Sequence, residues 1–141
     1  YSHHSTPKFS YLADQAKKLV SRFSIRTKDA FLPINSLSGG NQQKVAIASA
    51  IVKDAKILLL EEPTRGVDIA SKKDIYEMLK AYVKKGSACI VMCTEFPEIY
   101  ELVDRCVVVS NGRIAGEVHN RDFKSIENLA KELTLLSSGT S

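Results

Sequence analysis

The sequence predicts an α/β fold: a helical subdomain over residues 1–54, then a partial α/β core over 55–141 with about three parallel strands, intervening helices and a final antiparallel strand. Three observations point there. Apolar residues recur at helical spacing before residue 54. Three short apolar runs, Ile57 to Leu60, Cys89 to Cys93 and Cys106 to Val109, are separated by helical patterns, as buried parallel strands are. Asn111-Gly112, set between Val109 and Ile114, is a strong hairpin signal.

Taken in order, Leu12, Ala16, Leu19, Val20 and Phe23 fall on one helical face after Ser10, which reads as an N-cap. Asp29 to Ser36, with Pro33 and Asn35, reads as a loop. A second helix is expected from about Asn41 to Lys53, with Val45, Ala48, Ile51 and Val52 on one face and two glycines directly before it. That leaves its amino end open to a ligand. After the first strand, Ile75, Met78, Leu79, Tyr82 and Val83 mark a third helix, with Ser71 and Asp74 as a capping box. The last helix, near Phe123 to Leu136, carries Ile126, Leu129, Ala130 and Leu133 in register. No internal repeat or low-complexity segment interrupts the pattern.

With 141 residues and 44% hydrophobic composition, the chain can bury one modest core. Its 20 basic and 16 acidic residues leave +4, but Lys17, Lys44, Lys73, Arg105 and Lys131 are scattered, which reads as a solvated surface and not a nucleic-acid patch. No apolar run approaches the roughly 20 residues of a membrane-spanning helix, so a membrane role is expected to be peripheral. No charged-then-apolar leader opens the chain, and a start at Tyr1 instead of Met reads as a piece of a longer protein. His3 and His4 read as a loose terminus. Three cysteines, an odd number, suit a reducing cytoplasm, and Cys89, Cys93 and Cys106 read as small hydrophobes within apolar runs.

The chemistry concentrates in two places. The first is Leu37-Ser38-Gly39-Gly40-Asn41-Gln42-Gln43-Lys44. Glycines at a helix start let backbone N–H groups approach an anion, the helix dipole favours negative charge there, and Ser38 adds a hydroxyl donor. Read alone, the same run is a flexible turn before an N-cap. The second place is Ile57-Leu58-Leu59-Leu60-Glu61-Glu62-Pro63-Thr64-Arg65-Gly66-Val67-Asp68, an apolar strand ending in two carboxylates. Such a strand suits a Mg²⁺-nucleotide site, one acid on the metal and its neighbour polarising a water. Acids that merely close a surface strand are the plain alternative.

Together, in this order and about 20 residues apart, the two segments resemble the signature motif and Walker B strand of ABC-type ATPases, with a D-loop at Asp68. The Asn-Gln-Gln continuation and Pro-Thr-Arg-Gly-Val-Asp are most similar to ATP-binding subunits of bacterial ribose, galactose and xylose importers. Thr94-Glu95-Phe96-Pro97-Glu98 is similar to the switch region of the second of the two ATPase domains in those subunits. The resemblance implies a partial P-loop NTPase fold. It also implies that the strand leading into the phosphate loop lies between the Cys89 and Cys106 strands, so its loss leaves a gap or open edge and invites self-association.

No stretch reads G-x-x-x-x-G-K-[S/T], so the phosphate-cradling loop of the family is missing from these residues. Glu61 stands at the family's metal-binding aspartate, one methylene longer. Thr94 stands where an active half has a γ-phosphate-sensing histidine, and Ser49 replaces a frequent arginine. Glu62 occupies the catalytic-base position. The resemblance therefore implies a function in trans: Ser38, Gly39, Gly40, Asn41 and Gln42 would cap ATP bound by the other ATPase half, with Asp68 transmitting closure. The implied ligands are ATP and Mg²⁺, through Glu61. The implied partners are the other nucleotide-binding domain, membrane permease subunits and, indirectly, a sugar-binding protein, at the cytoplasmic membrane face. A non-catalytic regulatory or architectural domain is the alternative; an ABC protein acting on DNA or ribosomes would need basic patches or coiled-coil insertions, which are absent.

Overall fold

The computed structural model describes residues 9–138, so Tyr1, His3 and His4 lie outside it. The elements follow in the order α1 (Phe9–Arg22), a 3-10 turn (Ile34–Ser36), α2 (Gly39–Val52), β1 (Ile57–Glu61), α3 (Ile69–Val83) and β2 (Ala88–Met92). Then come α4 (Phe96–Leu102), β3 (Arg105–Ser110), β4 (Arg113–His119), a 3-10 turn (Asn120–Asp122) and α5 (Ile126–Ser138). The chain divides into two compact bodies. One is built from the chain up to Leu59 together with Pro63–Ile90, the other from Leu60–Glu62 and the chain from Val91 on.

In the first body α2 packs on α3, burying Ile47, Ala48 and Ile51 of the one and Ile75, Met78, Leu79 and Tyr82 of the other. Leu79 alternates with Ile75 one turn away, the spacing that makes a single apolar stripe. Tyr82 satisfies its buried hydroxyl by donating to the Ala55 carbonyl. In this body three expected helix starts move, and in the other the last helix begins at Ile126 instead of near Phe123. Ser10 lies inside α1, which already includes Phe9, whose ring stacks on Phe31 at 5.2 Å. Helix α2 takes both glycines into its first turn, where backbone N–H groups have no intrahelical partner in any case. Asp68, not Ser71, caps α3: its side chain accepts from the Ser71 N–H at 2.9 Å, and Asp74 is drawn elsewhere.

β1 and β2 pair in the same direction, with the Ala88 N–H donating to Lys56 at one end and the Glu62 N–H to Met92 at the other. The third apolar run departs from expectation. β3 joins no parallel sheet but pairs antiparallel with β4, in register from Arg105↔His119 to Ser110↔Arg113 with a bulge after Val108. β2 and β3 are not hydrogen-bonded neighbours. Nor are the strands buried on both faces. Leu58 is 5% exposed and its neighbour Leu59 74%, because among the described residues packing covers one face of the pleat.

The hairpin turn is as the sequence predicts: Asn111 and Gly112 both take positive φ, 50° and 71°, which two-residue turns matching the strand twist require. In this second body Ile99 of α4, Val118 of β4 and Leu129 and Leu133 of α5 form the core. Helix α5 closes on the hairpin so tightly that a Cβ at Gly116 would stand 2.7 Å from a Leu136 methyl.

Candidate functional site

The signature run lies in the first body; of the second motif, Glu61 and Glu62 fall in the second body and Pro63 to Asp68 in the first. At the signature corner Ser38 holds the N-cap position of α2 in extended backbone, φ −61° and ψ 155°, yet no side chain caps the helix. Its hydroxyl accepts instead from the Asn41 side-chain amide at 2.8 Å. Asn41 is buried and spends its other end on the Arg26 N–H, also at 2.8 Å. The Gln42 amide donates to the Leu37 carbonyl at 2.8 Å. Asn41 and Gln42 thus hold the turn, while Ser38 and Gly39 face solvent over an uncapped helix start.

Gly40 is buried against α3, where a Cβ would come within 2.6 Å of Ser71 Cβ and 3.2 Å of Asp68 Oδ2. Glycine here serves close approach, not an unusual φ. The sequence reading missed what lies one turn further along. Lys44, read as a surface charge, is 0% exposed. Its ammonium donates to the Ser24 carbonyl and to Asp74 Oδ2 at 2.9 Å. A signal existed: Lys44, Ile47, Ala48 and Ile51 recur at i, i+3, i+4 and i+7, so Lys44 falls on the apolar stripe. Ser49 lies on the opposite, exposed side and donates to the Val45 carbonyl.

Asp68 faces this corner from α3 and is exposed. The Ser71 backbone N–H, then the Ser71 hydroxyl, hold its carboxyl below the usual aspartate value by stabilising the charged form.

At the acid corner β1 delivers Glu61 exposed at its end. Glu62 turns the chain with φ 43°, a left-handed conformation that non-glycine residues seldom take. Two bonds fix it: its N–H donates to Met92 at 2.8 Å, and its Oε1 accepts from the Thr94 hydroxyl at 2.9 Å. Thr94 therefore orients the Glu62 carboxylate. The adjacent Cys93 thiol is pushed up to about 12, by burial first and then by the Glu98 and Glu62 charges, which favours the neutral thiol. Thr94 is followed by α4, a helix the sequence reading left unassigned although Pro97 falls in its first turn, a favoured place for proline.

Among the described residues no three acidic, histidine or cysteine side chains come together as a metal cage. Glu61, exposed at the end of β1, is a lone carboxylate, the kind of donor Mg²⁺ accepts when phosphate oxygens and water supply the rest of its shell. Nor is any described helix long and apolar enough to cross a membrane.

Comparison with known proteins gives one result throughout. The ABC transporter family matches residues 3–65. The xylose import ATP-binding protein of Burkholderia ambifaria is 41% identical over 121 residues, 86% of this chain and 23% of its own length. The ribose import ATP-binding protein of Bacillus subtilis is 45% identical over 104 residues, 74% of this chain and 21% of its own. The chain thus spans less than a quarter of these relatives. Among solved structures, an ATP-binding cassette of an ABC transporter superposes with TM-score 0.74 at 21% identity, over 94% of this chain and 52% of that one. A dimeric cassette in a post-hydrolysis state with ADP and Pi gives 0.68 at 23%, over 86% and 52%. At such identities these likenesses establish the fold alone, and this chain spans about half of each of those cassettes.

Proposed function

On the premise that this chain is a homologue of bacterial sugar-import ATP-binding proteins and carries the ABC transporter domain over residues 3–65, we propose that it supplies the signature surface of the ATPase that powers sugar import. It acts in trans on ATP held by the phosphate loop of the other nucleotide-binding domain. The observation that carries this reading is the signature corner: an uncapped helix start with Ser38 and Gly39 open to solvent, held in shape by the Asn41 and Gln42 side chains.

Each residue has a part. Ser38 donates its hydroxyl, and the amides of Gly39 and Gly40 present the positive helix end to the γ-phosphate. Asn41 and Gln42 keep the turn from collapsing when charge arrives. Asp68, in contact range of Gly40, carries closure across the paired domains. Glu62, fixed by Met92 and Thr94, is placed to accept a proton from water, although a threonine hydroxyl supplies no cationic charge beside it. Glu61 would hold a Mg²⁺ ion that arrives with ATP, and the ion would supply neutralisation of charge on the transferred phosphate. The division at about residue 54 into helical subdomain and partial core, permease subunits as partners, and a peripheral place on the cytoplasmic membrane face belong to the same proposal. A purely architectural domain would not need an open, uncapped signature turn.

The test is association. The chain is mixed with a separately purified cassette that carries the phosphate loop and cannot hydrolyse ATP, with and without ATP and Mg²⁺. ATP-dependent binding that Ser38→Arg abolishes, with the fold intact by circular dichroism, supports the proposal; equal binding with and without ATP, or by the Arg variant, refutes it.

A further inference from the structure

Among the described residues, one fully buried side chain belongs to neither motif's chemistry. Lys44 is a lysine with no exposure, whereas the ammonium group normally reaches water even when its stem is covered. Its two partners lie far apart in sequence: the Ser24 carbonyl, 20 residues back, and Asp74, 30 residues on. Ser24 itself takes φ 51°, a left-handed conformation in the segment that follows α1. One ammonium therefore joins α2, α3 and that segment.

We infer that Lys44 and Asp74 are positioning residues, a buried strut that sets the signature turn against the D-loop so that the two act as one rigid block when the signature meets the phosphate. This rests on the proposed role of the signature. The geometry is a two-point contact. Gly40 in the first turn of α2 abuts Ser71 and Asp68 at the head of α3 with no room for a Cβ. One turn on, Lys44 of α2 grips Asp74 of α3. A single contact would let the helices roll about each other; two, a turn apart, fix both spacing and rotation. Asn41, between them in sequence, separately ties α2 to the segment after α1 through the Arg26 N–H. An ordinary apolar pair could fill the volume but would leave the rotation free, since dispersion is non-directional and a charge-assisted hydrogen bond is not.

The experiment uses four forms of the full chain: wild type, Lys44→Met, Asp74→Asn and the double variant Lys44→Met/Asp74→Met. The double variant removes both charges together, so no buried charge is stranded and the fold is retained. The first readout is amide shifts and hydrogen exchange. Each single variant is expected to move the amides of 38–42 and of 68–71 together, with exchange at Gly40 faster by about tenfold or more. Changes confined to the substituted helix would overturn the strut. The second readout is ATP-dependent association with the phosphate-loop cassette. The double variant is expected to unfold at the wild-type temperature yet bind at least about tenfold more weakly, that is, by about 1.4 kcal/mol. Wild-type affinity in that variant would mean that Lys44 merely packs. If the wild type itself shows no ATP-dependent association, the proposed function fails, and the amide readout alone decides whether the strut exists.

Discussion

The signature corner and the acid corner differ in how they are held. At the first, a fully buried ammonium, a glycine pressed on a neighbouring helix and a buried asparagine bonded at both ends fix the turn from inside. At the second, Glu62 takes a left-handed backbone and is restrained by one main-chain bond and one bond from an exposed hydroxyl. The signature is thus shaped by the chain's own packing before any ligand arrives, whereas of the acids Glu61 is exposed at a strand end and Glu62 only half-buried. Preorganisation of this kind suits a surface that recognises a phosphate held elsewhere, because ordering costs have already been met on folding.

The contrast breaks most sharply at Lys44. Lys44→Met leaves Asp74 and the Ser24 carbonyl without their cation, and the expected loss of stability is about 3 kcal/mol, the low end for a broken buried pair because Asp74 is partly exposed. Urea unfolding of the chain measures it, and a loss below about 1 kcal/mol would show that water reaches the pair. Next is Gly40→Ala. The added methyl meets Ser71 Cβ at 2.6 Å, so α2 and α3 must separate. The cost is about 2 kcal/mol, as for other overpacked cores, with ATP-dependent association lost alongside. Gly39→Ala is the control: nothing stands within 4 Å of its Cβ, so stability should change little.

At the acid corner the same kind of deletion should hardly register. Thr94→Ala removes a bond between two side chains near the surface, and thermal unfolding should move by no more than about 0.5 kcal/mol. A larger effect would mean that the left-handed turn at Glu62 depends on that hydroxyl, and the contrast between the corners would be weaker than the packing indicates.

Much of the fold was legible because its signals are local. The Asn111-Gly112 turn, the amphipathic stripes of α3 and α5 and the glycine-led start of α2 depend on residues within a few positions of one another, and the motif spacing carried the family resemblance. What failed depends on partners distant in sequence. Whether the Cys106 run joins a parallel sheet or only a hairpin is decided by which strand lies beside it, not by its own apolarity. The caps moved because Asp68 competes with Ser71 for the same helix start, and because Asp74 is claimed by a lysine 30 residues away. Lys44 was misread since charge is a stronger surface signal than position on a stripe is a core signal. The left-handed backbone at Glu62 has no counterpart in its residue type at all.

The smallest expected effect is one of pH, and it sharpens the view of Asp68. Its carboxyl is stabilised as the anion by the Ser71 N–H and hydroxyl, so its folded value lies below that of the unfolded chain. The stability it contributes is therefore fully present above the unfolded value, about pH 4, and is lost as pH falls through the folded value. Asp68→Asn keeps a side-chain oxygen at the cap but cannot ionise. The wild type should then be slightly more stable than the variant at pH 7, with the gap closing below about pH 4 and absent once Asp68 is protonated. Glu127, lowered in the same sense by the Ser125 hydroxyl, titrates in both forms and cancels from the comparison. A gap independent of pH would show that Asp68 acts through shape alone. A gap that closes as expected means that an anion stands beside Gly40 at neutral pH. Since that charge repels phosphate, Asp68 would then serve the signature by fixing the head of α3 and not by touching the nucleotide.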